Sequence, residues 1–154
     1  MINFVSKKYN FSIDHPESWP AFETPQGNHG DLDVIGIIYV PGNPTSLEIA
    51  SRNFDQGGIE NVVQWGLDRA KRCQEFEQID QESNNISGLV GVRSEYTCLK
   101  KTNFFSNTFG SGKCIDYYII KGLTGYAISS CALNDQWDGV GPIFDQMIKS
   151  FSLK

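Results

Sequence analysis

Four cysteines (Cys73, Cys98, Cys114 and Cys131) and two histidines (His15 and His29) are the first candidates for metal, redox or nucleophilic chemistry in this 154-residue chain. No two cysteines form a C-x-x-C pair, which argues against a zinc knuckle or a thioredoxin-type site. Counting outward from a turn at Gly122–Leu123 sets Ile120 opposite Gly125, Tyr118 opposite Ala127, Asp116 opposite Ser129 and Cys114 opposite Cys131. Opposed residues of an antiparallel pair share a face and stand close enough for a disulfide or a shared metal. Cys114 and Cys131 are therefore the candidate disulfide pair, given an oxidising compartment. The competing reading is four small buried thiols, a common state of unpaired cysteine. Grouping Val92 and Tyr96 with Ile115, Tyr117 and Ile119 on an apolar face puts Cys98 on that face too, away from Cys114. Cys73 falls on the buried side of its helix, so Cys73 and Cys98 are expected as free buried thiols.

His29, Asp31 and Asp33 alternate in "NHGDLD" and share one face of an extended segment. Imidazole with two carboxylates suits a divalent cation. The neighbouring glycines favour a plain loop instead, because a preorganised site needs rigid supports. "GSGK" (110–113) invites comparison with a phosphate loop, which requires GxxxxGK followed by Ser or Thr. Asn107 and Cys114 occupy those outer positions, so a Gly-rich hairpin loop is expected. Ser129 and Ser130 lie on a regular strand, and no GxSxG elbow occurs. No nucleophile is paired with a base, so no enzymatic activity and no cofactor are expected.

The candidate binding surface is "KKTNFFSNTFGSGK" (100–113). Phe104, Phe105 and Phe109 sit there without a periodic core role, beside Lys100 and Lys101. Aromatics flanked by lysine in a polar loop suit contact with a protein or a membrane surface. The alternative is a cap folded back over the sheet end.

The elements that would hold these residues follow from periodicity. Tyr9, Phe11 and Ile13 alternate with polar residues as in a half-buried strand. His15-Pro16 stops it, and Trp19 is placed to fold back over the sheet edge. Residues 32–40 and 45–54 read as a hairpin across "PGNP". A helix is expected over 59–75, with Ile59, Val62, Val63, Gly66, Leu67, Ala70 and Cys73 on one face. A short strand, a strand over 89–99, a long polar link and two strands around "KGLTG" follow. A final helix begins near Trp137, with Pro142 in or near its first turn. Neighbouring hairpins with packed helices give an α+β domain, one unit over 1–154.

A net charge of −5 disfavours nucleic acid as a main partner, since phosphate binding needs a basic surface. No apolar run is long enough to span a bilayer. "MINFVSKKYNF" holds no signal-peptide core, so the chain reads as cytosolic if Met1 is the native start.

Three stretches together resemble the PsbP-like family, named for the extrinsic photosystem II subunit. They are "YNFSIDHPESW", "TSLEIASRNF" followed by a helix, and "GYAISSCALNDQWDGVGPIFDQMIKSF". The resemblance spans nearly the whole chain. It implies an αβα sandwich around a largely antiparallel sheet and a non-catalytic accessory role through protein contacts. It also implies a location outside the cytoplasm, in the envelope or secreted. No stretch matches a photosystem-binding segment, and the arm before Tyr9 is only about eight residues, so that role is not carried over. The implied partner is another protein or a membrane-associated complex, bound by a monomer. A small-ligand or metal-binding module is the alternative; a hydrolase is the remaining one.

Overall fold

Phe11 and Ile13 are fully buried, as the alternation of the first strand requires. The strand ends at His15, Trp19 N–H donates to the Pro16 carbonyl at 2.9 Å, and the chain turns back. Trp19 then packs edge-on against Phe144, 5.7 Å between ring centres. Pro16 thus ends the ladder and Trp19 plugs the core beneath it.

The computed structural model describes residues 1–24, 33–103 and 105–154. In chain order the described elements are β1 (Ile2–Ser6), β2 (Phe11–His15), β3 (Ala21–Glu23), β4 (Val34–Tyr39), β5 (Ser46–Asn53) and α1 (Ile59–Ala70). There follow β6 (Glu77–Ser83), β7 (Gly91–Lys101), β8 (Phe109–Lys121), β9 (Thr124–Leu133), a short 3-10 turn, α2 (Trp137–Ser150) and β10 (Ser152–Leu153). The central sheet has the order β3-β4-β5-β9-β8-β7-β6, and β1-β2-β10 form a smaller one. All pairings among the described strands are antiparallel. Helix α1 packs on one face of the central sheet, through Val62 and Trp65 against Ala50, Tyr118 and Ala127. Helix α2 and the smaller sheet cover the other, through Phe144, Met147, Phe11 and Ile13 against Leu47, Ile49, Ile119 and Ile128. The fold is α+β, an αβα sandwich around an antiparallel central sheet.

Four details differ from the sequence expectations. Residues 2–6 form β1 on the smaller sheet rather than a bare arm. Helix α1 stops at Ala70: the N–H groups of Arg72 and Cys73 turn back to Arg69 and Ala70, and Glu75 takes φ +56°. The expected polar link over 100–113 is largely strand, because β7 and β8 pair as far as Lys101 and Phe109. "GSGK" is therefore part of β8 and not a loop. Pro142, expected in or near the first turn, is the sixth residue of α2 and lies in its second turn; having no N–H, it cannot donate to the Asp138 carbonyl.

Candidate functional site

The register of β7, β8 and β9 decides what gathers under α1. Cys114 pairs with Cys131, Asp116 with Ser129, Tyr118 with Ala127 and Ile120 with Gly125. On the other side Cys114 pairs with Tyr96, and Cys98 with Gly112. Tyr96 and Cys98 therefore lie on the α1 face with Cys114, not on the opposite face. The expectation failed because helices cover both faces, so apolar alternation in β7 does not say which face is which.

Cys114 and Cys131 are bonded, with S–S 2.04 Å and Cα–Cα 4.2 Å. Cys73 and Cys98 are also bonded, with S–S 2.05 Å and Cα–Cα 5.8 Å, which corrects their expectation as free thiols. The chain beyond α1 turns down onto β7 and brings Cys73 to Cys98. Both bridges belong to one cluster with Ala70, Tyr96 and Phe76.

Beside the bridges lies a group that sequence reasoning did not single out. Asp116 is 2% exposed. Tyr118 Oη donates to its Oδ2 at 2.9 Å, and Tyr96 Oη to its Oδ1 at 3.3 Å. Burial raises the Asp116 carboxyl to about 6, opposed by hydrogen bonds from Tyr118, Ser129 and Tyr96 and by the charge of Arg69. Burial, with the charge of Asp116, pushes both tyrosines well above the ordinary phenol value. Gly66 of α1 makes this packing feasible: a Cβ there would stand 2.2 Å from Tyr118 Cε1. A lone Asp in the apolar run "CIDYYII" was the available signal.

A cavity of about 250 Å³ opens over this cluster, with Glu48, Asp116 and Ser129 on the sheet side and Arg69, Arg72 and Lys100 around it. A second cavity of about 290 Å³ shares Lys100 and Cys131 with the first and continues past Lys101 to Phe109.

Above that second cavity the β7–β8 hairpin closes through Thr102 N–H to the Thr108 carbonyl, 3.0 Å. Asn103 Oδ1 accepts from the N–H groups of Phe105 and Ser106 at 2.9 and 2.8 Å, which shapes the tip. Phe105 is 99% exposed and Phe109 42%. Phe104 lies outside the described residues.

Of the metal candidates, His29 and Asp31 lie outside the described residues. Asp33 accepts from Arg52 at 2.8 Å and from Trp65 Nε1 at 3.1 Å. Among the described residues no group of three or more His, Cys, Asp or Glu is arranged to hold a metal. Ser130 donates to the Ile115 carbonyl and has no base beside it among its described contacts. No described helix is long and apolar enough to cross a membrane.

No protein-family model and no curated protein sequence matches this chain. Solved structures do. A cyanobacterial PsbP from Synechocystis aligns with TM-score 0.73 at 15% identity, over 99% of this chain and 92% of that one. LpqN of Mycobacterium tuberculosis, described as involved in cell envelope biogenesis, aligns with TM-score 0.69 at 11% identity, over 94% and 83%. A Bacteroides thetaiotaomicron protein aligns with TM-score 0.64 at 12% identity, covering 99% of this chain but 48% of its own length. At these identities the likeness is one of architecture, and the chain has the PsbP-like fold.

Proposed function

We propose that this chain is a non-enzymatic accessory domain of an extracytoplasmic or envelope-associated assembly, and that it binds a partner protein through the β7–β8 hairpin. The observation that carries the reading is Phe105, 99% exposed at the tip of a hydrogen-bonded turn. Phe109 beside it is partly exposed, and Lys100 and Lys101 flank the base. Exposed aromatics ringed by cations are the composition of interface anchors. Two disulfides, Cys114–Cys131 among them, favour an oxidising compartment as the working environment. The likeness in fold to LpqN, involved in cell envelope biogenesis of M. tuberculosis, supports the same reading.

The test compares the wild type with a Phe104→Ser/Phe105→Ser/Phe109→Ser variant. Each is immobilised and challenged with solubilised envelope complexes from the source cell. Saturable binding of one complex, lost in a variant that melts like the wild type, supports the reading. Equal binding by both proteins removes the hairpin as the contact.

A further inference from the structure

Gly110 and Gly112 alternate on β8 and leave one face of that strand bare. Gly110 lies opposite Lys100 of β7; Gly112 lies opposite Cys98 on one side and Leu133 of β9 on the other. A Cβ on Gly112 would stand 2.4 Å from Lys100 Cγ, so the lysine stem lies across the gap that the missing side chain leaves. A Cβ on Gly110 would stand 3.3 Å from Leu133 Cδ2. Lys100 thereby reaches over β8 and borders the cavity of about 290 Å³ together with Cys131, Ala132 and Leu133 of β9. Pro44, Leu99 and Phe109 supply more apolar wall, and Lys101 and Thr45 complete it.

This cavity is apolar and basic, with no acid in its lining. Lys100 is half-buried and Lys101 exposed, and neither forms an ion pair among the described residues. Thr45 Oγ1 already donates to Gln136 Oε1 at 3.0 Å. The acid closest in sequence to the β9 wall, Asp135, is exposed in the 3-10 turn. Lys100 also borders the cavity of about 250 Å³ over the polar row of Glu48, Ser129, Asp116 and Ser94, which pairing aligns across β5, β9, β8 and β7. Arg69 and Arg72 line that cavity with Asp116 and Glu48, two guanidiniums with two carboxylates. Lys100 is the surplus cation of that group, and with Lys101 it sets the charge of the apolar cavity. An amine with an apolar tail would be repelled there. A bare inorganic anion would leave the apolar wall in water. An anion that carries its own apolar tail matches both parts. The volume is at the lower end for ligand pockets, which start near about 300 Å³, so the tail is short.

We propose that this cavity binds a short-chain carboxylate of the fatty-acid class. Its headgroup sits against Lys100 and Lys101 and its tail along Pro44, Leu99, Phe109 and Leu133. The site shares Phe109 and both lysines with the hairpin contact but does not rest on that reading, and Phe105 at the tip lies outside its lining.

The experiment is titration of the oxidised protein at neutral pH with sodium hexanoate, followed by backbone amide NMR shifts. Acetate, hexanol, hexylamine and hexyl phosphate vary the tail, the charge, its sign and the headgroup. We expect saturable one-to-one binding of hexanoate, with shifts centred on Leu99, Lys100 and Leu133. Hexanoate should bind at least about tenfold tighter than acetate, because its additional methylenes leave water. It should also bind at least about tenfold tighter than hexanol, the size of one lost charge-assisted hydrogen bond. Hexylamine should not bind. Lys100→Gln should weaken binding by about tenfold at unchanged melting temperature. Lys101→Gln should weaken it less, because solvent screens the more exposed charge. Absence of saturable hexanoate binding overturns the proposal, as does hexanol binding equally tightly. So does undiminished binding by a Lys100→Gln/Lys101→Gln variant. Hexyl phosphate binding more tightly than hexanoate would overturn the carboxylate class and assign the cavity to phosphate monoesters. No partner protein enters this titration, so its failure would leave the hairpin contact standing.

Discussion

The two faces of the central sheet are made by the same strands, and each is covered by one helix, yet they hold the protein together differently. The α2 face is closed by large apolar side chains. Leu47, Ile49, Ile119 and Ile128 meet Phe144, Met147 and Phe151, and Trp19 and Trp137 flank Phe144 edge-on. The α1 face mixes a smaller apolar cluster around Val62, Trp65 and Tyr118 with small residues. Ala50, Ala127 and Gly66 let the helix approach, and beyond them come a polar row and two disulfides. Hydrophobic burial scales with apolar area. The α2 face therefore supplies most of the packing energy, and the α1 face compensates with covalent links while keeping room for charge.

The largest effect should come from the α2 face. Phe144 is 1% exposed and touches two tryptophans. Phe144→Ala is expected to lower the unfolding free energy by about 3–5 kcal/mol, read as a shift in the urea midpoint at unchanged slope. The α1 counterpart is removal of its longer covalent link. Cys73→Ser/Cys98→Ser opens a bridge of sequence separation 25, and the loss expected from denatured-state entropy is about 3.5 kcal/mol. The same denaturation experiment reads it. If this double variant cost clearly more than Phe144→Ala, the division of labour between the faces would be reversed.

Much of this arrangement was legible in the sequence where a local device specified it. Gly122 at φ +63° opens a two-residue turn, and from that turn the β8–β9 register can be counted residue by residue to Cys114 and Cys131. Proline after β2 and the helical spacing of Phe144, Met147 and Ile148 were equally local. The face of Cys98 was not legible, because β7 lies in a sheet covered on both sides and its alternation is ambiguous. Nor was the polar row, which exists only because β5 pairs with β9 across a long crossover. Asp116 was placed opposite Ser129 correctly, but Glu48 joins them through a contact that no local pattern encodes. The end of α1 was not legible either: the helical periodicity runs on to Cys73, whereas the chain leaves the helix after Ala70 and Cys73 is bonded to Cys98. The pairing of the Phe-rich segment as far as Lys101 and Phe109 was not legible either, because its composition reads as a loop.

The smallest effect tests the electrostatic cost of the α1 face, and it depends on pH. The Asp116 carboxyl is raised from 3.8 to about 6 in the folded protein, chiefly by burial. Between those values the unfolded chain has released this proton and the folded chain still holds it. Stability from this group is thus fully present below about pH 4, falls as pH rises, and is lost above about pH 6. The full swing is at most about 3 kcal/mol, from a shift of about two pH units. Asp116→Asn removes the titration while keeping a polar group for Tyr118 and Tyr96. Plotted against pH, the difference in unfolding free energy between the two proteins should move in favour of the variant from pH 4 to pH 6 and then stay level. A flat difference would mean that Asp116 ionises as it does in the unfolded chain, with the row beneath α1 well hydrated. The α1 face would then hold its charge without the desolvation cost that separates it from the α2 face.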